Sequence, residues 1–410
     1  MCIVGIIIVI IICWLISENK RKFPFRIVLW GLGLQIVLAA LLLYVPFTSN
    51  LMKSFSVGVT QFLGFARNGA EFAFGKLSAT ENVPTLGYQF AIMIASTVIF
   101  FSALVSLFYH WGIIQKVVYG IAWVMHKTLK TSGSESLSAA ADIFLGQVEA
   151  PLLVRHYLPD ATRSEINSIM VCGYATIAGS VFASFVMMGI DAQYLIIASV
   201  LSTIGGLVLS KVVIPETGQI QTLSEIKEIN VPKSENFLLA ISGGAADGMS
   251  LSINIIAMVI AFIAIIALLD AGFSVTSGWL SSIGFHYFPS SIKQLLGYVF
   301  LPFGYLVGLT GNDAQIFGSV FGTKIAFNEF VAYIDLAKMI ETAKLSARPV
   351  ALATFALCGF ANFGSIAIQI GGLGALVPNR KALFAKLAFR AMIIGALANL
   401  LTTSIAGLFI

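Results

Sequence analysis

The sequence predicts an all-α membrane protein with eight transmembrane helices, two re-entrant helical hairpins and interfacial helices, built as an inverted repeat. Three observations carry this. Of 410 residues, 58% are apolar and only 10% charged, against about 25% charged in an ordinary soluble protein. The apolar residues fall in continuous runs of roughly 20, the length at which a helix crosses the hydrocarbon while satisfying its own backbone. Two further membrane-length segments carry charge or a helix breaker at their centres. A transmembrane β-barrel is excluded because the runs are continuous rather than alternating.

The eight crossings are expected at 1 to 17, 27 to 47, 87 to 109, 165 to 188, 192 to 212, 250 to 269, 350 to 373 and 387 to 410. The opening run lacks a basic start and a small-residue cleavage site and leads directly into SENKRK, so it reads as a retained span rather than a signal peptide. Lys20, Arg21, Lys22 and Arg26 place the first connection in the cytoplasm and both termini outside, and alternation from there puts 16 of the 24 Lys and Arg inside. This basic bias sets membrane orientation and does not point to nucleic acid. Residues 111 to 130 have one basic and one apolar helical face, as expected for a helix lying in the interface. The polar stretch 214 to 237 divides the chain in two. The expected organisation is scaffold spans over 1–133, a first transport repeat over 134–213, linker, scaffold span 6 and interfacial helices over 214–311, and a second transport repeat over 312–410.

The first interrupted segment is 134 to 158. Gly146 and Pro151 bracket Gln147, Val148 and Glu149, and proline is tolerated best at a helix start, so a second arm is expected to begin beside Glu149. Each arm of about 10 residues would rise about 15 Å and bring the tip near the midplane. The second segment is 312 to 337, where Asn328 can cap an arm beginning with Glu329. Each hairpin is followed by a span with a small, hydroxyl-bearing break, at 175 to 180 and at 361 to 365. Counting spans makes the two units inverted, the plan of many secondary transporters, with the binding site between the tips.

An ionised carboxylate near the bilayer centre costs on the order of 3 kcal/mol or more, so Glu149 and Glu329 read as functional; a structural pairing of Glu329 with Lys324 is the alternative. Asn362 and Ser365, three apart, can offer an amide and a hydroxyl to one polyhydroxylated, uncharged ligand, or can simply bond neighbouring helices. Cys2, Cys13, Cys172 and Cys358 are dispersed, and so are His110, His126, His156 and His286. No HExxH, GxSxG or phosphate-binding GxxxxGK occurs, so an intramembrane enzyme is disfavoured. A channel would need a continuous polar lining. A carrier for anionic amino acids or dicarboxylates would need a basic site residue, for which Lys324 is the candidate.

The segments GQVEAPLLV (146 to 154), GTKIAFNEFVAY (322 to 333) and GFANFGSIAIQIGGLG (359 to 374) resemble the hallmark motifs of the concentrative nucleoside transporter family, in order and spacing, and the similarity covers nearly the whole chain. The resemblance implies a homotrimer in a bacterial inner membrane, moving as an elevator and coupling uptake of nucleosides of the uridine, cytidine and adenosine class to a cation gradient, with Na+ as the coupling ion and H+ as the alternative. It places Gln147, Val148 and Glu149 at the nucleobase, Glu329, Asn362 and Ser365 at the ribose, and Phe360 along the pocket. It assigns sodium to Asp142, Leu145, Thr176 and Ile177. This chain departs from the family pattern at two of these places: Val148 stands where Thr is common, and Asp142 where Asn is expected. A carboxylate suits a hard cation but can also take up a proton, and Asp142 can alternatively bond locally.

Overall fold

The computed structural model describes residues 1–78, 89–218, 220, 234–284, 286–342 and 345–410, and all regular structure among them is helical. Much of the polar linker, residues 219 and 221–233, therefore lies outside the described residues. Among the described residues, six segments are long and apolar enough to cross a membrane by themselves: Phe25–Tyr44, Phe90–His110, Arg163–Met187, Ala192–Val213, Phe237–Ser282 and Pro378–Ala406.

The first half begins with α1 (Cys2–Leu15) and α2 (Phe25–Ala39), the latter running into a π-helical turn, Ala40–Tyr44. Pro46 opens α3 (Pro46–Gly64), where its missing N–H costs nothing, and α4 (Ala66–Phe74) follows. The spanning helix α5 (Phe90–His110) leads to α6 (Ile113–Leu129). That helix buries Val118, Ala122, Met125 and Leu129 along one stripe and is amphipathic.

The first hairpin differs from the expected pair of equal α-helical arms. Its first arm is α7 (Gly133–Ala141), but the second contains only a short 3₁₀ stretch, Ala150–Val154, starting after Glu149 with Pro151 in its first turn. The next span is two half-helices, α8 (Arg163–Ala175) and α9 (Gly179–Met187), broken where the sequence has Thr176, Ile177 and Ala178. Capping boxes start both α7 and α8: Ser132 with Glu135, and Thr162 with Glu165. The Ser134 hydroxyl donates to Glu165 at 3.0 Å and ties the two starts together. Helix α10 (Ala192–Val213) completes the half.

The second half opens with α11 (Phe237–Ser282), 46 residues long. The expected span at 250 to 269 is thus only the middle of a rod of about 69 Å, more than twice the hydrocarbon thickness. It crosses α5 at small residues: a Cβ added at Gly244 would lie 2.6 Å from the Ser102 carbonyl oxygen and the Ser106 Cβ. Only glycine permits so close an approach. Then follow α12 (Ile292–Val299), α13 (Leu301–Leu306), the hairpin arms α14 (Gly311–Ala326) and α15 (Glu329–Glu341), the half-helices α16 (Ala347–Leu357) and α17 (Phe363–Leu376), and α18 (Lys381–Ala406).

The core lies around α8, α10 and α18, which pack on one another. Helices α1 and α2 lie against α10 and α18, whereas α5 and α11 pair with each other; α11 keeps many large apolar side chains exposed, and those of α5 are mostly half-buried. Within the core, Lys211 of α10 forms an ion pair with Glu135 and donates to the Ser164 hydroxyl at 2.9 Å. This joins the start of the first hairpin to the ends of two spans.

Candidate functional site

Breaking a helix inside the bilayer frees carbonyls and amides that must find partners. At the end of α8 and of α16 the freed carbonyls share one donor. The Asn399 side-chain amide of α18 donates to the Ala175 oxygen at 2.7 Å and to the Cys358 oxygen at 2.9 Å. Its own oxygen accepts from the Lys324 ammonium at 2.6 Å, and Lys324 also donates to the Ala356 carbonyl at 2.9 Å. Lys324 is therefore hydrogen-bonded into the core and forms no direct ion pair with Glu329. The two breaks also touch directly, since the Phe360 amide donates to the Thr176 carbonyl at 3.1 Å.

On the other side of these breaks, one cavity collects all seven residues assigned to the substrate: Gln147, Val148, Glu149, Glu329, Phe360, Asn362 and Ser365. The first tip lies on α17 through Val148, because a Cβ at Gly372 would be 2.6 Å from the Val148 Cγ1. Val148 thus both lines the cavity and packs the tip. The second tip is set by Asn328, whose side-chain oxygen accepts the Val331 amide at 2.9 Å and starts α15 with Glu329 in its first turn. Asn362 does the same for α17, accepting the Ser365 amide at 2.8 Å. It is a cap rather than a member of the helix face, and its NH2 donates to a Glu329 carboxylate oxygen at 2.7 Å. The amide expected to face the ligand instead fixes the carboxylate, leaving the other acceptor positions of Glu329 for hydroxyl donors. Apolar walls come from Leu251, Ile255 and Phe262 of α11.

The four residues assigned to sodium lie where the first arm of the first hairpin ends, just before its tip, and at the first break. Asp142 ends α7 and is fully buried, yet neither carboxylate oxygen has a hydrogen-bond partner among the described residues. Two buried carboxylate oxygens with no donor beside them fit a hard monovalent cation taken up as cargo. Thr176 is extended at the break, with its hydroxyl donating to the Cys172 carbonyl at 2.9 Å, and Ile177 and Leu145 are buried beside it. The Gly179 amide donates to the Phe144 carbonyl at 3.0 Å and fastens the hairpin turn to the break. Asn399 was missed by sequence reasoning, because a lone Asn in an apolar span carries no motif.

Two family models described as the Na+ dependent nucleoside transporter N-terminus and C-terminus match residues 4–77 and 194–407, and a third, described as nucleoside recognition, matches 91–192. The chain belongs to the sodium-dependent nucleoside transporter family. It is similar to the nucleoside permease NupC of Helicobacter pylori, 37% identical over the whole of this chain and 97% of that one. The sodium/nucleoside cotransporter 1 of Rattus norvegicus is 36% identical over 98% of this chain and 63% of its own length. Among solved structures, CNTnw in an inward-facing substrate-bound state superposes with a TM-score of 0.93 at 36% identity, covering all of this chain and 97% of that one. A CNTnw variant in an outward-facing state also gives 0.93 at 36% identity, covering all of this chain and 97% of the variant. As a sodium-dependent nucleoside transporter this protein is a membrane-embedded carrier working by alternating access, and not an enzyme.

Proposed function

We propose that this transporter imports nucleosides by holding the ribose at Glu329 and Ser365 and the base at Gln147 and Glu149, with sodium at Asp142, Leu145, Thr176 and Ile177. The observation that supports it most is the Asn362–Glu329 bond beside Ser365, in a cavity that both hairpin tips line. Vicinal ribose hydroxyls are donors matched to a fixed carboxylate, and an analogue lacking one leaves a buried acceptor unpaired. Sodium at Asp142 would neutralise the end of the first arm of the same hairpin, just before the tip that carries Gln147 and Glu149. Cation and nucleoside would thereby order one element. Phe360 supplies apolar wall for the ligand.

Helices α5 and α11 act as the fixed scaffold, and the hairpins with the broken helices move against it as an elevator in a homotrimer. The exposed apolar side chains of α11, among them Ile260, Leu268 and Val275, support a lipid-facing and partner-facing role for it, and α5 packs along it. Both termini lie outside an inner membrane. In support, Glu18 of the first connection pairs with Arg163 and Arg390, and its amide donates to the Val213 carbonyl, which gathers residues expected in the cytoplasm on one side. The test is uptake of radiolabelled uridine, cytidine and adenosine into proteoliposomes under an inward sodium gradient. Accumulation that collapses without sodium supports the reading, and gradient-independent entry of every nucleoside refutes it.

A further inference from the structure

Between α5, α11 and the first hairpin lies a second cavity, of about 370 Å³, within the size range of small-molecule sites. It shares Gly146, Glu149, Ala178 and Leu251 with the substrate cavity, so the two spaces meet at the first tip. Along α11 the substrate cavity is lined by Leu251, Ile255, Met258 and Phe262, and the second cavity by Gly244, Asp247 and Leu251, one helical face continued toward the start of the helix. On α5 the second cavity is lined by Ser102, Val105, Ser106 and Tyr109, toward the end that enters the basic amphipathic helix α6. It is therefore a vestibule leading from the site to the side assigned to the cytoplasm. Its lining contains no Lys, Arg or His. Its polar groups are hydroxyls and two carboxylates, set among apolar surface.

Asp247 stands about 15 Å into a long apolar helix, exposed to this space, with no hydrogen bond or ion pair to the described residues. It faces Glu149 across the vestibule from the scaffold side. Its carboxylate takes no part in packing the described residues together.

Building on the transport reading above, we infer that the vestibule is a release-side nucleoside subsite, in which Asp247, with the Ser102 and Ser106 hydroxyls, accepts the substrate's O–H and N–H donors as it leaves Glu149. Because Asp247 sits on the scaffold and Glu149 on the moving hairpin, this second acceptor meets the substrate only when the site faces the cytoplasm.

The experiment uses the full-length carrier in proteoliposomes of determined sidedness. Half-saturation by uridine is measured separately at each face for wild type, Asp247→Asn, Asp247→Glu and Ser102→Ala/Ser106→Ala, at fixed sodium. Asp247→Asn should raise half-saturation at the cytoplasmic face roughly two- to tenfold, the worth of one hydrogen bond, and leave the opposite face unchanged. Asp247→Glu should restore it, and the double Ser variant should shift the same face. An equal shift at both faces, no shift at either, or a shift in sodium activation alone would overturn the proposal. Loss of nucleoside transport in the wild type would instead refute the underlying transport reading.

Discussion

Replacing Glu329 by Gln keeps size and shape at the second tip but removes the charge that the ribose would meet. In the structure Glu329 is 4% exposed, holds one hydrogen bond from Asn362 at 2.7 Å, and forms no direct ion pair among the described residues. Its remaining acceptor positions are available to two vicinal hydroxyls. A hydrogen bond to a charged group contributes about 1.5–3 kcal/mol, and a Gln oxygen can replace at most part of this while its NH2 opposes the Asn362 donor. Taking about 3 kcal/mol as the loss gives roughly a 150-fold fall in kcat/KM for uridine at 25 °C. The assay is initial uptake under a fixed sodium gradient, run in parallel with 2′-deoxyuridine and 3′-deoxyuridine. Wild type should discriminate against at least one deoxy analogue, and Glu329→Gln should lose that discrimination as well as rate. Uptake within threefold of wild type, or unchanged discrimination in the variant, would refute ribose recognition by this residue.

Four further outcomes are expected. Asp142→Ala should raise the sodium concentration for half-maximal uptake at least about tenfold and abolish sodium-dependent thermal stabilisation of the detergent-solubilised protein, a readout independent of transport. Asn399→Ala should lower thermal stability by about 3 kcal/mol or more, because two break carbonyls and the Lys324 ammonium lose their partner. Lys211→Met should cost about 3–5 kcal/mol by leaving Glu135 buried and unpaired, with part of the loss recovered in the double variant with Glu135→Gln. The hydrogen bond from Arg163, with the charges of Arg163 and Arg390, holds the Glu18 carboxyl below the usual glutamate range. Its contribution is therefore present above that range and lost as pH falls through its lowered value. Thermal unfolding should show Glu18→Gln differing from wild type by no more than about 1 kcal/mol at neutral pH, with the difference vanishing in acid.

What was legible in the sequence was the chemistry of the breaks. Pro151, Asn328 and the small residues at 175 to 180 and 361 to 365 act locally, through caps and missing donors, and the chain turns at each of them. The second arm of the first hairpin was less legible. Proline marked its start, but nothing local limited the regular part to the five residues Ala150–Val154. The start of α11 was hidden because Gly243, Gly244, Asp247 and Gly248 interrupt the apolar pattern ahead of the expected span at 250, and only the packing of α5 on Gly244 and Gly248 shows why they are helical. The partners of Lys324 were invisible for another reason: Ala356 and Asn399 lie 32 and 75 residues away, and periodicity carries no information on which helices meet. A glutamate five residues on was the nearer candidate, and the fold turns it toward Asn362 instead.

The central claim, a nucleoside clasped where the two tips converge, is tested most directly by single cysteines at Gln147 and Ser365. All four native cysteines are buried, so a charged maleimide reports the introduced positions. Uridine together with sodium should slow labelling at both positions by more than about tenfold relative to sodium alone, with a sugar lacking a base giving no protection. Labelling at either position that proceeds at the same rate with and without uridine would contradict the account.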